Sequence, residues 1–517
     1  MNSLIQDTDD SDILFSPGVS MLTQRASGLL LHPSSLAGPF GIGDMGPAAR
    51  QFVDFLVRAG QSCWQTLPLG PTGYGDSPYS ALSAFAGNPL LISPELLAAV
   101  GDLEPADLDP WRKKGERTDF SWAENCRRPL LEKAEHTFFR SATTERRRQF
   151  EDFCRGQAFW LDDYALFRVL REQFDRQCWN NWPPELRDRD EATLGELRHR
   201  LRARIRQQYY QQFIFFEQWQ GLKNYANSRG VSIFGDMPIF VAQDSSDTWG
   251  HRQLFRLDAH GNPPLVAGVP PDYFSRTGQR WGNPLFNWEK LAEQDYAWWR
   301  QRMARNLELF DLLRIDHFRG FSACWGIPAE ASTALAGSWQ PGPGDRLFEA
   351  LRQDLGHLPL VAEDLGVITP EVAALRDRWQ LPGMKILQFA FDSDDDNPYL
   401  PRNHPANAVV YTGTHDNNTT LGWWRELDRT ARRRVRDLLG EPCRQMPQDL
   451  IRSALQSPAR LAVIPLQDLL GLPADDRMNR PGRPDGNWTW RMAENVLTVE
   501  LADWLREECR RCRRTAA

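Results

Sequence analysis

The sequence predicts an α/β fold: a (β/α)8 TIM barrel with helical and loop insertions between its strands. Three observations lead there. Eight short apolar runs recur along the chain, each ending in polar or glycine-rich residues. They are apolar on both faces, as strands of a helix-covered parallel sheet must be. Helical stretches of suitable length separate several of them, and eight such units close a barrel.

The expected strands are 28–31, 62–67, 232–236, 312–316, 358–363, 385–391, 408–412 and 461–465, with helices over 47–59, 295–309, 345–355 and 370–379. The barrel is expected over 27–93 and 207–492, flanked by an N-terminal extension, 1–26, and a C-terminal tail, 493–517. Two intervals break the rhythm. Residues 94–206 are charged and helical in character, with Trp160, Tyr164 and Phe167 on one stripe, and predict a mainly helical insertion. Residues 242–290 are rich in Gly, Pro and Asn with little periodicity, and predict an active-site loop insertion.

Charged residues make up 25% and hydrophobic residues 41%, as in a globular protein, and a net charge of -7 gives a nucleic-acid partner no support. No apolar run reaches the roughly 18 residues of a membrane span, and the acidic start MNSLIQDTDD is not a signal peptide, so cytoplasm is expected. The CRRC pair, Cys509 and Cys512, has no second pair to complete a zinc site, so the thiols are expected reduced and structural. The 20 tryptophans are in excess. Trp64, Trp281, Trp288, Trp423, Trp424, Trp488 and Trp490 sit beside Gly, Asn, Gln or Thr, which suits either core packing or stacking on a sugar ring.

Barrel chemistry sits at the C-terminal ends of the strands. The third run ends in IFGDMPIF with Asp236, the fourth in LLRIDHFRG with Asp316, the fifth in LVAEDLG with Glu363 and Asp364, and the seventh in VVYTGTHDNN with His415 and Asp416. One such aspartate is as often a helix cap, but four strand ends delivering carboxylates to one mouth point to function. Metal-assisted chemistry and glycosidic cleavage by paired carboxyls both use such a cluster. Arg314, two residues before Asp316 on the same strand face, competes with a metal and favours an ionised nucleophile. Glu363 follows Leu360, Val361 and Ala362, an apolar setting that raises the pKa of an acid. The sugar reading is favoured, and strand alternation turns His317 to the other face as a structural contact.

RIDHFRG, VAEDLG and GTHDNN, in this order, resemble the catalytic segments of the 4-alpha-glucanotransferases, also called amylomaltases or disproportionating enzymes, of the alpha-amylase superfamily. The likeness runs from about 27 to 492. It includes HPSSLAGPFGIGDMG, QTLPLGPTGYGDSPYS, GDMPIFVAQDSSDTW, AGVPPDYFSRTGQRWGNPLF, LPGMKILQFAFD and RMNRPGRPDGNWTWR.

The resemblance implies Asp316 as nucleophile, Glu363 as general acid/base and Asp416 as the carboxylate that steadies the distorted sugar. It implies substrate-site roles for Arg314, His415, Asp236, Ser77, Tyr79, Asp272, Tyr273, Phe274, Trp281, Asn417, Asn479 and Asn487, with no metal or cofactor. Tyr273 and Phe274 would cover the acceptor sugar and exclude water. The implied activity is retaining transfer of an alpha-1,4-glucan segment to the 4-hydroxyl of glucose or another glucan. A retaining alpha-glucan hydrolase is the alternative. Arg276 and PRNHP at 401–405 depart from the family pattern, and the two chain ends match no part of it.

Overall fold

The structure, a computed structural model, describes residues 22–271, 275–393, 395–440, 445–483 and 485–515. Eight parallel strands form the barrel: Ala26–Leu30, Cys63–Gln65, Ser232–Pro238, Leu312–Asp316, Leu360–Ala362, Gly383–Ile386, Ala408–Tyr411 and Leu461–Pro465. Each pairs with its neighbour in chain order except the fifth with the sixth, and the first pairs with the eighth. The fifth and sixth strands end the ladder, and the Ala362 N–H joins them by donating to Pro382 C=O at 2.9 Å. All eight fall on predicted runs. Gly28 shows how closely the first two approach: a Cβ there would meet Cys63 O at 2.4 Å.

In the ladder Asp236 pairs with Arg314, and cross-strand partners point to the same face. That register carries the carboxylate of the third strand to the guanidinium of the fourth. The helices that cover the barrel include Pro47–Arg58, Ala297–Leu309, Asp345–Leu355 and Pro370–Arg378.

Between the second and third strands the chain is helical, from Pro94–Ala99 through Phe120–Ser141, Thr144–Gly156 and Ala158–Gln173 to Glu191–Arg200. Trp160, Tyr164 and Phe167 are buried on one helix. The next helix, Arg202–Asn227, runs through the expected boundary at 206. It starts among the inserted helices and buries Phe213, Ile214, Trp219 and Leu222, packing on Pro47–Arg58 and the third strand.

Three expectations change. The interval 242–290 is not only loop: Leu265–Val269 and Gln279–Pro284 join Ala323–Pro328 and Ser338–Pro341 in a four-stranded antiparallel sheet. The close approach of its strands hides the signal, because it demands glycine; a Cβ at Gly268 would meet Gln279 O at 2.1 Å. The C-terminal tail, which matches no part of the family pattern, is packed on the barrel. Helix Val499–Arg511 buries Ala502, Leu505 and Cys509 and packs on Pro47–Arg58. Most of the tryptophans singled out by their neighbours are packing residues: Trp64, Trp488 and Trp490 are buried, and the Trp64 indole donates to Leu31 C=O at 2.7 Å. Trp281 is the exception, 38% exposed.

Every cysteine among the described residues is free. No helix of the described residues is long and apolar enough to cross a membrane.

Candidate active site

The fourth strand supplies the centre of the site. Arg314 and Asp316 are two residues apart and share one face, so the guanidinium lies beside the carboxylate it precedes. Arg314 Nη2 donates to Asp316 Oδ1 at 2.8 Å, while Nη1 donates to Asp236 Oδ1 and Oδ2 at 2.8 and 2.7 Å. The Tyr79 hydroxyl donates to Asp236 Oδ2 at 2.7 Å. One cation therefore holds two carboxylates, and they differ in access: the Asp236 side chain is 0% exposed and the Asp316 side chain 30%. Asp316 faces the open mouth, whereas Asp236 is enclosed and acts by holding Arg314 in place.

Glu363 follows the fifth strand and is fixed by backbone amides. The His317 N–H donates to Oε2 at 2.8 Å and the Leu365 N–H to Oε1 at 2.9 Å. Its own N–H donates to Ile315 C=O at 3.1 Å, so the acid is stitched to the segment that carries Asp316. Asp416 comes from the loop after the seventh strand. Asn479 Nδ2 donates to Asp416 Oδ1 at 2.6 Å, and His415 Nε2 lies 3.3 Å from the same oxygen.

The charges explain each other. Burial works against the Arg314 cation, but Asp236 and Asp316 more than offset it and hold its pKa above the usual range. Burial raises Asp316; Arg314 pulls it down, and Asp236, Glu363 and Asp416 push it further up. Burial also raises Glu363, opposed by Arg314 and its two backbone amides. The sequence suggests that Arg314 keeps Asp316 ionised. In the structure its charge is shared with Asp236, so it does so only in part. Four carboxylates around one guanidinium favour keeping one proton on the Asp316–Glu363 pair. Arg314 donates to Asp316 directly and no hydrogen bond joins it to Glu363, so the guanidinium favours the charge on Asp316 over Glu363.

Residues 31–498 match the model of the family described as 4-alpha-glucanotransferase. The chain belongs to the 4-alpha-glucanotransferase family. It is 49% identical over 490 residues to a 4-alpha-glucanotransferase of Thermus thermophilus, covering 93% of this chain and 97% of that one. It is 49% identical over 492 residues to that of Synechocystis sp., covering 94% and 96%. Among solved structures, an amylomaltase from Streptococcus agalactiae in complex with acarbose superposes with a TM-score of 0.92 at 38% identity, covering 95% of this chain and 100% of that one.

Within this 4-alpha-glucanotransferase-family site the structure brings together Asp236, Arg314, Asp316, Glu363, His415, Asp416, Asn479 and Tyr79. The Tyr79 and His415 rings stack 5.2 Å apart. Other expected contact residues make hydrogen bonds within their own loops. Ser77 Oγ accepts from the Tyr79 N–H at 3.2 Å, and Asn417 Oδ1 accepts from the Thr414 N–H at 2.8 Å. Asn487 bridges its own loop, accepting from the Arg480 N–H and donating to Arg483 C=O, each at 2.8 Å. Asp364 turns away from the mouth to Arg376 and the Met384 N–H. Trp281 lies edge-on to His317. Asp272, Tyr273 and Phe274 lie outside the described residues.

Sequence reasoning gave no site role to Arg477 and left Trp488 open between core packing and stacking on a sugar. Arg477 Nη2 donates to Asp416 C=O at 2.6 Å and Nε to Asn479 C=O at 2.8 Å, tying the two loops that hold Asp416. Trp488 packs 5.8 Å from Tyr79 and 6.0 Å from His415, completing an aromatic wall. Both lie in RMNRPGRPDGNWTWR, where only tertiary packing separates wall residues from loop residues.

Proposed function

We propose that the protein transfers a segment of an alpha-1,4-glucan to the 4-hydroxyl of glucose or another glucan by double displacement with retention. Membership of the 4-alpha-glucanotransferase family supports the activity. The observation that carries the residue roles is the contrast between Asp316 and Glu363: the first accepts from a guanidinium and faces the mouth, and the second accepts from two neutral backbone amides.

In the first displacement the Asp316 carboxylate attacks the anomeric carbon as the glycosidic bond breaks, and Glu363 gives its proton to the departing 4-oxygen. The Glu363 carboxylate left behind is stabilised by the His317 and Leu365 amides. In the second, it takes the proton of the acceptor 4-hydroxyl as that oxygen displaces Asp316, restoring both groups. Asp416, steadied by Asn479 and adjoining His415, is the partner for hydroxyls of the sugar as it flattens towards an oxocarbenium ion. Asp236 and Tyr79 keep Arg314 aimed throughout.

Transfer needs the acceptor sugar to outcompete water at the intermediate. Tyr273 and Phe274 carry that role in this reading, and the exposed Trp281 is a further aromatic surface for a sugar. The free thiols among the described residues suit a reducing compartment, the cytoplasm. Incubation with maltotriose tests the reaction. Transfer yields glucose together with a ladder of longer oligosaccharides; if only shorter sugars accumulate, the enzyme is a hydrolase.

A further inference from the structure

His317 follows the nucleophile and has no role in the chemistry above. Its backbone is left-handed, with φ 55° and ψ 48°, a conformation that Gly and Asn enter freely and other residues at a cost. The strand therefore stops at Asp316, and the alternation that would turn His317 outward does not apply. This kink is what aims the His317 N–H at Glu363 Oε2, 2.8 Å away. Phe318 N–H then donates to Glu363 C=O at 3.2 Å, so the turn grips the acid at both its side chain and its backbone.

The ring is held differently. It is buried, 4.8 Å from Trp281 at 89° and 6.3 Å from Phe240, and its Nε2 has no hydrogen-bond partner among the described residues. Burial keeps it neutral, with its pKa pushed down to about 3. On its other side Trp281 is open to solvent, its indole N–H donating to Gln279 Oε1 at 3.2 Å. A continuous path thus runs from an exposed indole, through a packed imidazole and a left-handed turn, to the carboxyl that must gain and lose a proton.

We propose that His317 is a positioning residue that couples an acceptor sugar resting on Trp281 to Glu363, through its ring on one side and its backbone N–H on the other. The proposal rests on Glu363 being the acid/base. The other groups facing that carboxyl are Arg314 and Asp316 from the fourth strand, Asp364 beside it, Tyr399 from beyond the sixth strand and the Leu365 amide. None of these is altered by replacing His317.

The two halves separate by substitution. H317N and H317G keep the left-handed turn and remove the imidazole; H317A keeps neither. Initial rates of maltotriose disproportionation against pH, with labelled glucose as acceptor, read both. In H317A the alkaline limb of kcat/KM moves to higher pH, because a carboxylate that loses a hydrogen-bond donor holds its proton more tightly. In H317N and H317G that limb stays in place while the acceptor KM rises several-fold with little change in donor KM. W281A raises the acceptor KM similarly, and adding H317N to it raises it no further.

Limbs that coincide in all three variants overturn the backbone half, and an additive double mutant overturns the ring half. If H317A does not fold, H317N and H317G still decide: a shifted limb in either, or an unchanged acceptor KM in both, refutes the coupling. E363Q separates the underlying reading. Near-native turnover in E363Q sinks the site assignment itself, whereas an inactive E363Q with unaffected His317 variants sinks only the coupling.

Discussion

Arg314 and Arg514 are both buried, at opposite ends of the barrel, and the contrast between them separates a reactive charge from a structural one. Arg314 lies where the strands end, among carboxylates. Arg514 lies where they begin and meets no carboxylate within ion-pair distance among the described residues; its donors go to the carbonyls of Ala26, Leu455, Ser457, Ala459 and Arg460, at 2.6 to 2.9 Å. Burial, with Arg25 nearby, pushes its pKa down to about 9, whereas the carboxylates raise that of Arg314. Carbonyl dipoles satisfy a guanidinium without being able to react. Carboxylates do so while retaining nucleophilic and acid/base capacity, which is why the costly cluster sits at the mouth and the stitching sits below.

The largest predicted effect tests the upper end. D316N removes the nucleophile, and E363Q removes a general acid worth about 10²–10⁴-fold in rate. Turnover of maltotriose should fall at least that far in both, with melting temperatures unchanged or raised, because each substitution removes a carboxyl from a crowded, desolvated cluster. Near-native turnover in D316N refutes its role. The lower end should behave in the opposite way. R514L removes five buried hydrogen bonds, although Leu455 and Ser457 C=O keep Arg25 and Arg460 C=O keeps the Ala26 N–H; it should cost about 3–5 kcal/mol in urea unfolding, with the specific activity of the remaining folded protein unchanged. A catalytic defect at full stability in R514L would erase the distinction between the two arginines.

The two ends also differ in how far the sequence reveals them. The barrel was legible because each strand is a short apolar run closed by a polar residue, and the mouth because carboxylates recur at four of those closures. The second sheet was not, since its strands need glycines such as Gly268 for close approach, and glycine reads as loop. The floor was not either: Arg514 pairs with carbonyls, which every residue has, so no partner type marks the contact. Trp64 and Trp281 both sit beside polar neighbours, but one is a barrel-core residue bonded to Leu31 and the other is exposed. Local sequence cannot tell them apart, because it does not show which side of the sheet a side chain faces.

A smaller effect sharpens the charge-sharing at the upper end. D236N frees Arg314 from its second carboxylate and removes one of the charges that raises Asp316. Both changes favour ionised Asp316. Residual activity should be reduced, and the acidic limb of kcat/KM, which reports ionisation of the nucleophile, should move to lower pH. A limb that stays or moves upward means that Asp236 does not divide the guanidinium charge.

The smallest effect concerns a residue that the family resemblance implies for the substrate site and the structure places in a loop. Asn487 accepts from the Arg480 N–H and donates to Arg483 C=O, so its side chain closes the turn of RMNRPGRPDGNW on itself. Residues at the start of that turn hold Asp416: Asn479 bonds its carboxylate and Arg477 its carbonyl. N487A removes two hydrogen bonds at about 1 kcal/mol each, partly replaced by water at this exposed loop. If its role is to shape the loop, donor and acceptor KM should rise together by less than about tenfold, since 1.4 kcal/mol is a factor of ten. N479A, which strikes the carboxylate directly, should lower kcat more. A selective rise in acceptor KM in N487A, with kcat and donor KM unchanged, would instead place Asn487 against the acceptor sugar, and would mean that this turn opens towards the mouth when glucan binds.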